Sequence, residues 1–367
     1  MKTPIMQFGT SRFLQAHADL FVSEAMEKGE ALGPITVVQT TGASERAERL
    51  KGLAVEGGFP VHIRGIEHGR PVDRVQQVTS VRRALSASAD WAEVERIFVE
   101  EVELVLCNTA DRGYDISLEP VTLPPNLPVS FPGKLTVLLH RRFVSGRTGL
   151  TILPCELISR NGEALRAIVT GLASSWYADD AFNAWLATDV IFCNTLVDRI
   201  VSEPLSPAGA VAEPYALWAI QRMPGQALPC IHPDIVVADD IEPYEKLKLF
   251  ILNLGHTFLA NRWIEQGSTE AMTVREMLGD AQTRSALVSL YETEVVPGFA
   301  RKKMQVEAEA YVVATLQRFD NPFLNHKLSD IAQNHAEKIR RRFQGFVEWS
   351  GITAPTLQAI IRSNADV

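Results

Sequence analysis

Apolar positions in the first 240 residues fall into short, dense runs separated by longer stretches with helical spacing. Residues 4–8 (PIMQF), 35–39 (ITVVQ), 104–107 (LVLC) and 150–154 (LTILP) are compact aliphatic runs, the pattern of strands buried on both faces. Between them, 13–28, 89–101, 135–143 and 162–176 repeat apolar residues at roughly helical intervals. Strands alternating with helices predict a parallel α/β sheet. Beyond about residue 240 the texture changes: 243–263, 273–295, 307–316 and 325–346 read as helices with little strand between them. The boundary falls near Asp239-Asp240. Residues 202–238, rich in Pro and Ala, yield no element assignment, and no internal repeat is visible.

Composition narrows the class. A chain of 367 residues, 46% hydrophobic and 22% charged, can bury a core in about two domains and is neither disordered nor fibrous. Its net charge of −8 argues against a nucleic-acid or anionic-membrane partner and leaves room for a small-molecule ligand. Cys107, Cys155, Cys193 and Cys230 are far apart without a C-x-x-C pair, so reduced, buried thiols are expected. The first residues lack the apolar core of a signal peptide, and no uncharged apolar run reaches 18 residues. A cytoplasmic protein is expected, a monomer or small homo-oligomer. Cys230-Ile231-His232 is too sparse for a metal centre, so none is assigned.

Several junctions could carry chemistry. After the first run comes Phe8-Gly9-Thr10-Ser11-Arg12-Phe13, a strand, a Gly turn and a helix start, where free N–H groups and the helix dipole can hold a pyrophosphate. Only Gly9 matches the G-x-G-x-x-G fingerprint, since Ser11 and Leu14 occupy the later positions, so a plain structural junction stays open. Asn108 and Thr109 end another strand, where an open sheet places ligands, and Thr40 ends the second. Asn161-Gly162 is either a turn before a helix or an amide donor near a reacting oxygen. Asp198-Arg199 ends an apolar run and fits a structural ion pair equally well. The richest stretch is 245–256, where Lys, Asn and His interrupt an apolar helix. On an ideal helix Lys248, His256 and Asn253 fall at about 0°, 80° and 140°, on one side, with Lys246 at about 160°. Such a stripe needs internal partners or a ligand, and a buried Lys can trade a proton near neutral pH.

These motifs together resemble the mannitol dehydrogenase family, the polyol-specific long-chain dehydrogenases. Lys248-x4-Asn253-x2-His256 is similar to its catalytic signature. FGTSRF (8–13), LCNT (106–109), FPGKLTVLL (131–139), PCELISRNG (154–162), FCNTLVDRI (192–200) and RFDNPFLNH (318–326) follow in order. The wording of PCELI-x-x-NG and NTLVDRI resembles the branch acting on sugar acids such as tagaturonate. The resemblance implies an α/β fold with an N-terminal Rossmann-like domain (1–240) and a mostly α-helical C-terminal substrate domain (241–367). It also implies metal-independent hydride transfer with NAD, NADP not being excluded. By the same resemblance Lys248 is the acid/base, and Asn253 with Asn161 stabilises the developing alkoxide. His256 and Asp198 orient substrate hydroxyls, Glu245 tunes Lys248 or relays protons, and Arg318 meets a substrate carboxylate. Residues 39–42 lack the acidic group that holds a ribose 2′-hydroxyl, and Arg46 and Arg49 lie nearby. The alternatives are a polyol dehydrogenase acting on a neutral or phosphorylated hexitol, and a dinucleotide sensor without catalysis.

Overall fold

The computed structural model describes residues 2–40, 47–67, 69–109, 113–267 and 271–364. They divide into two compact units: 1–63, 73–212 and 216–241 form the first, and 64–72, 213–215 and 242–367 the second. The two short excursions, 64–72 and 213–215, lie inside the stretch that the sequence pattern assigns to the first domain.

The first unit is built on β1 (Ile5–Phe8), β2 (Ile35–Gln39), β5 (Val81–Ser86), β6 (Leu104–Cys107), β7 (Thr151–Pro154) and β8 (Ile191–Phe192), with the larger parts of β3 (Phe59–Glu67) and β4 (Arg70–Val78), whose residues 64–67 and 70–72 fall in the second. Six of these form one sheet in the order β5-β2-β1-β6-β7-β8, and its neighbours pair in parallel. Counted along the sheet this is 3-2-1-4-5-6, the doubly wound dinucleotide-binding order. β1, β2, β6 and β7 are buried at every residue, which is why they read as unbroken apolar runs.

Residues 202–238 resolve into short strands that follow β9 (Thr195–Asp198): β10 (Val201–Pro204), β11 (Ala210–Ala212), β12 (Leu217–Gln221) and β13 (Ile235–Ala238). They complete two small sheets, β10-β11-β3-β4 and β13-β12-β9. The single helix expected over 13–28 is instead two, Arg12–Gln15 and Ala18–Lys28. At the break the Arg199 guanidinium donates to the Ala16 carbonyl over 2.6 Å, and His17 leaves helical geometry. All four cysteines are buried and free, as the sequence pattern predicts.

The second unit is helical. Its core gathers Phe250, Ile251, Phe258, Leu287, Tyr291, Phe299, Phe343 and Phe346. The helices expected over 273–295 and 325–346 are interrupted. The first divides into Val274–Gly279 and Ala281–Leu290, with Asp280 accepting from Thr283 N–H to start the second piece. Three segments, Lys248–Asn253, Tyr291–Val295 and Arg340–Gln344, are π-helical turns set within α-helical surroundings.

Candidate active site

The strand order reverses between β1 and β6, where successive connections leave toward opposite edges of the sheet, and ligands of such sheets lie beyond the strand ends at this point. Gly9 stands at the end of β1 with φ of +114°, and a Cβ there would lie 2.4 Å from the Asn108 carbonyl oxygen that follows β6. A side chain is therefore excluded twice, by conformation and by contact. Ser11 caps the ensuing turn by accepting from Leu14 N–H at 3.2 Å, which explains a serine where the fingerprint has glycine. Thr10 is buried, its carbonyl accepting from the Gln15 amide, while Arg12 is exposed and Phe13 half-buried. This backbone cradle fits a dinucleotide pyrophosphate. Beneath it, the Gln7 amide reaches both the Gly9 carbonyl and the fully buried Asp19 carboxyl. Burial pushes the Asp19 carboxyl up to about 8. Thr40 ends β2 in a half-buried position; Arg46 lies outside the described residues.

Other strand ends are tied internally. The Thr109 N–H and hydroxyl both donate to Glu156, which also accepts from Tyr114, and the Asn108 amide donates to the Cys155 carbonyl over 2.7 Å. Asn161 departs from its expected role. Its amide nitrogen donates to the carbonyls of Pro154, Glu156 and Thr195, its oxygen accepts from Thr195 N–H, and the residue is fully buried. An amide carries only two N–H donors, and here both are engaged with backbone. Asn161 thus clamps the end of β7 to β9, rather than presenting a donor to an alkoxide. Asp198 closes β9 and is 2% exposed.

In the second unit, Lys248 and Asn253 bound the first π-turn. Ideal α-helical angles therefore do not hold through this stretch. Five residues along an α-helix end up about 140° apart, whereas a turn closed by i→i+5 bonds brings such residues back toward one face. The Leu254 N–H reaches the Leu249 carbonyl, the five-residue step that defines the turn. That geometry makes sense of the Lys-x4-Asn spacing. Lys246 is engaged elsewhere, with its ammonium 3.3 Å from Glu242 and 5.6 Å from the Phe250 ring centroid. Lys248 and Glu245 are both half-buried.

His256, 6% exposed, lies 4.5 Å between ring centroids from both Phe319 and His326, and its Nε2 has no hydrogen-bond partner among the described residues. Burial, then the positive charges of His326, Arg342, Arg318 and Lys338, hold it well below the usual histidine range. It is neutral at physiological pH. An unpaired polar atom in a buried setting carries a desolvation cost. His326 sits within a motif read from the sequence but was assigned no role there; burial and Arg318 bring it down to about 4.

Arg318 also differs from expectation. Its guanidinium is locked onto Glu213 by contacts of 2.8 to 3.1 Å and lies 4.2 Å from the Tyr215 ring centroid. Asp320, two residues on, pairs with Arg284. The positive charge nominated to receive a carboxylate is already neutralised by a carboxylate of the chain itself.

A doubly wound sheet with a glycine-lined reversal point, followed in one chain by a helical unit bearing Lys248, Asn253 and His256, is the architecture of a dinucleotide-dependent dehydrogenase. The chain belongs to the mannitol dehydrogenase family: residues 3–229 match the mannitol dehydrogenase Rossmann domain and 240–350 the mannitol dehydrogenase C-terminal domain. It is 31% identical to the altronate oxidoreductase of Halalkalibacterium halodurans, over 96% of this chain and 72% of that protein. Identity to the Klebsiella pneumoniae altronate oxidoreductase is 33%, over 92% and 73%. Among solved structures, a substrate-free D-sorbitol dehydrogenase superposes with a TM-score of 0.78 at 20% identity, covering 95% of this chain and 76% of that one. Pseudomonas fluorescens mannitol 2-dehydrogenase, in complex with NAD and D-mannitol, gives 0.73 at 18%, covering 99% and 79%. Among the described residues no helix is long and apolar enough to cross a membrane.

Proposed function

We propose that the chain is an NAD-dependent oxidoreductase interconverting a secondary alcohol and a ketone on a sugar acid of the altronate and tagaturonate type. The observation that supports this reading is the π-turn bounded by Lys248 and Asn253, a register that favours a common face for the two, three residues before a buried His256 whose Nε2 has no hydrogen-bond partner among the described residues. When bound, NAD supplies the hydride acceptor and its reduced form the donor. The turn at Gly9, Thr10, Ser11, Arg12 and Phe13 would hold its pyrophosphate, with Thr40 after β2 and Asn108 and Thr109 after β6 as further residues that would hold it.

Lys248 takes the proton from the substrate hydroxyl in oxidation and returns it in reduction. Asn253 donates to the same oxygen as its charge grows, and preorganised donors of this kind are the larger part of such catalysis. Neutral His256 holds a neighbouring hydroxyl through Nε2. Asp198 binds another, and Glu245, three residues before Lys248, relays protons to it. Asn161 positions the strand ends.

A second reading, a neutral hexitol and its ketose, is favoured by the Arg318–Glu213 pair, which leaves that cation already balanced. Turnover decides between them: tagaturonate with NADH against fructose with NADH, and altronate against mannitol with NAD. Preference for the neutral pair overturns the sugar-acid reading. Failure of all four, with dinucleotide binding retained, leaves the sensor.

A further inference from the structure

The π-turn that carries Lys248 and Asn253 is bonded both within itself and from outside. Within it, the Leu254 N–H is shared between the Leu249 and Ile251 carbonyls rather than aimed at one. Wide turns of this kind are rare, occur as single turns within α-helices and gather at functional sites. Bonds from outside the turn fix its carbonyls.

Two side chains do so. The Tyr291 hydroxyl donates to the Ile251 carbonyl over 2.9 Å, and Tyr291 is fully buried. Arg342 donates through Nη1 to the Asn253 carbonyl over 3.0 Å and to the Thr257 hydroxyl over 2.8 Å; Thr257 in turn donates to the Asn253 carbonyl. Both donors belong to the other π-turns, Tyr291–Val295 and Arg340–Gln344. A third observation is independent of these bonds. Gly255 sits where a Cβ would come within 1.9 Å of the Tyr291 hydroxyl oxygen, with the next ring carbon at 3.1 Å. The helix lacks a side chain at the point where the tyrosine oxygen approaches it.

We propose that Tyr291 and Arg342 are positioning residues that hold the π-turn open, with Gly255 as the space Tyr291 requires, so that Lys248 and Asn253 share one face. Neither residue touches the reacting atoms. Without the Tyr291 hydroxyl the segment relaxes toward an α-helical register, and Asn253 swings away from Lys248. Small misplacements of such groups cost up to about 100-fold in rate.

This rests on Lys248 being the acid/base, and the experiment separates the two ideas. Tyr291→Phe keeps the ring in the core and removes only the hydroxyl. On the full chain with tagaturonate and NADH, it should lower kcat per folded molecule by about 10- to 100-fold and leave NADH affinity unchanged. Amide exchange across 250–256 should quicken, while exchange in the β1 to β7 sheet stays as it was. Arg342→Met should behave likewise, and Arg342→Lys should recover part of the loss. Gly255→Ala should be severe alone and clearly less than additive with Tyr291→Phe, because its hardest clash is with the oxygen already removed, while the 3.1 Å approaches to Phe319 Cε2 and Tyr291 Cζ remain. Unchanged kcat and exchange in Tyr291→Phe overturn the proposal. So does full additivity of Gly255→Ala with Tyr291→Phe. Should Lys248→Ala keep wild-type turnover, the acid/base assignment fails, and local exchange and the Gly255 coupling still judge Tyr291.

Discussion

Arg318 and Glu213 form a buried ion pair, with three contacts of 2.8 to 3.1 Å between side chains only 4% and 1% exposed. Breaking such a pair from one side strands a charge in the interior and costs about 3–5 kcal/mol. Glu213→Ala should therefore destabilise the second unit by that order in urea unfolding. Arg318→Ala should lower activity on a hexuronate and on a neutral ketose alike, since its role is structural. A loss confined to the hexuronate would return Arg318 to carboxylate recognition.

Lys248→Ala should cost about 10² to 10⁴ in kcat with little change in dinucleotide affinity, the usual penalty for a lost acid/base group. Lys246→Ala should be mild, because that ammonium already pairs with Glu242 on the same helix. Steady-state kinetics of the two variants make the comparison, and a dead Lys246→Ala beside an active Lys248→Ala would reverse the assignment.

Gly9→Ala should abolish dinucleotide binding or fold poorly. The added methyl meets the Asn108 carbonyl oxygen at 2.4 Å in a backbone conformation that L-residues rarely adopt. Titration of cofactor fluorescence on the purified variant is the check, and wild-type affinity would remove the close approach of β1 and β6 from the binding site.

Asp19 gives the first unit a pH dependence. Burial raises its carboxyl to about 8 in the folded chain, whereas the unfolded chain ionises it near its ordinary 3.8. Between those values the folded state holds the extra proton, so stability is fully present below the lower one and falls as pH rises toward the upper. The slope is at most about 1.4 kcal/mol per pH unit. Asp19→Asn should flatten this decline, its advantage over wild type growing from pH 5 to pH 8 in thermal unfolding. Parallel curves would show that the carboxyl is ionised throughout.

The parallel sheet was legible because β1, β2, β6 and β7 are buried on both faces and so appear as bare apolar runs. The alternating burial of β3 shows in FPVHIRGIE, yet that stretch went unread as a strand. The break at Ala16 could not be seen locally, since the arginine that makes it lies 183 residues away. Likewise Glu213 is 105 residues from Arg318, and no spacing rule connects them. At the site, Lys248, Asn253 and His256 were visible as polar positions in an apolar helix, but an α-helical wheel set the first two far apart. Only the register of the backbone explains their spacing, and that register depends on Tyr291 and Arg342, which carry no local signal of their own.

A π-turn is, in effect, an α-helix with one residue too many. Deleting Leu249 would allow the backbone of 247–254 to close with regular four-residue bonds, and the resulting helix should melt later than the natural one. Asn253 would then stand four residues after Lys248 and His256 seven, about 40° and 20° from it on a regular helix, so all three would still share a face. The wide turn thus absorbs one added residue without surrendering that face.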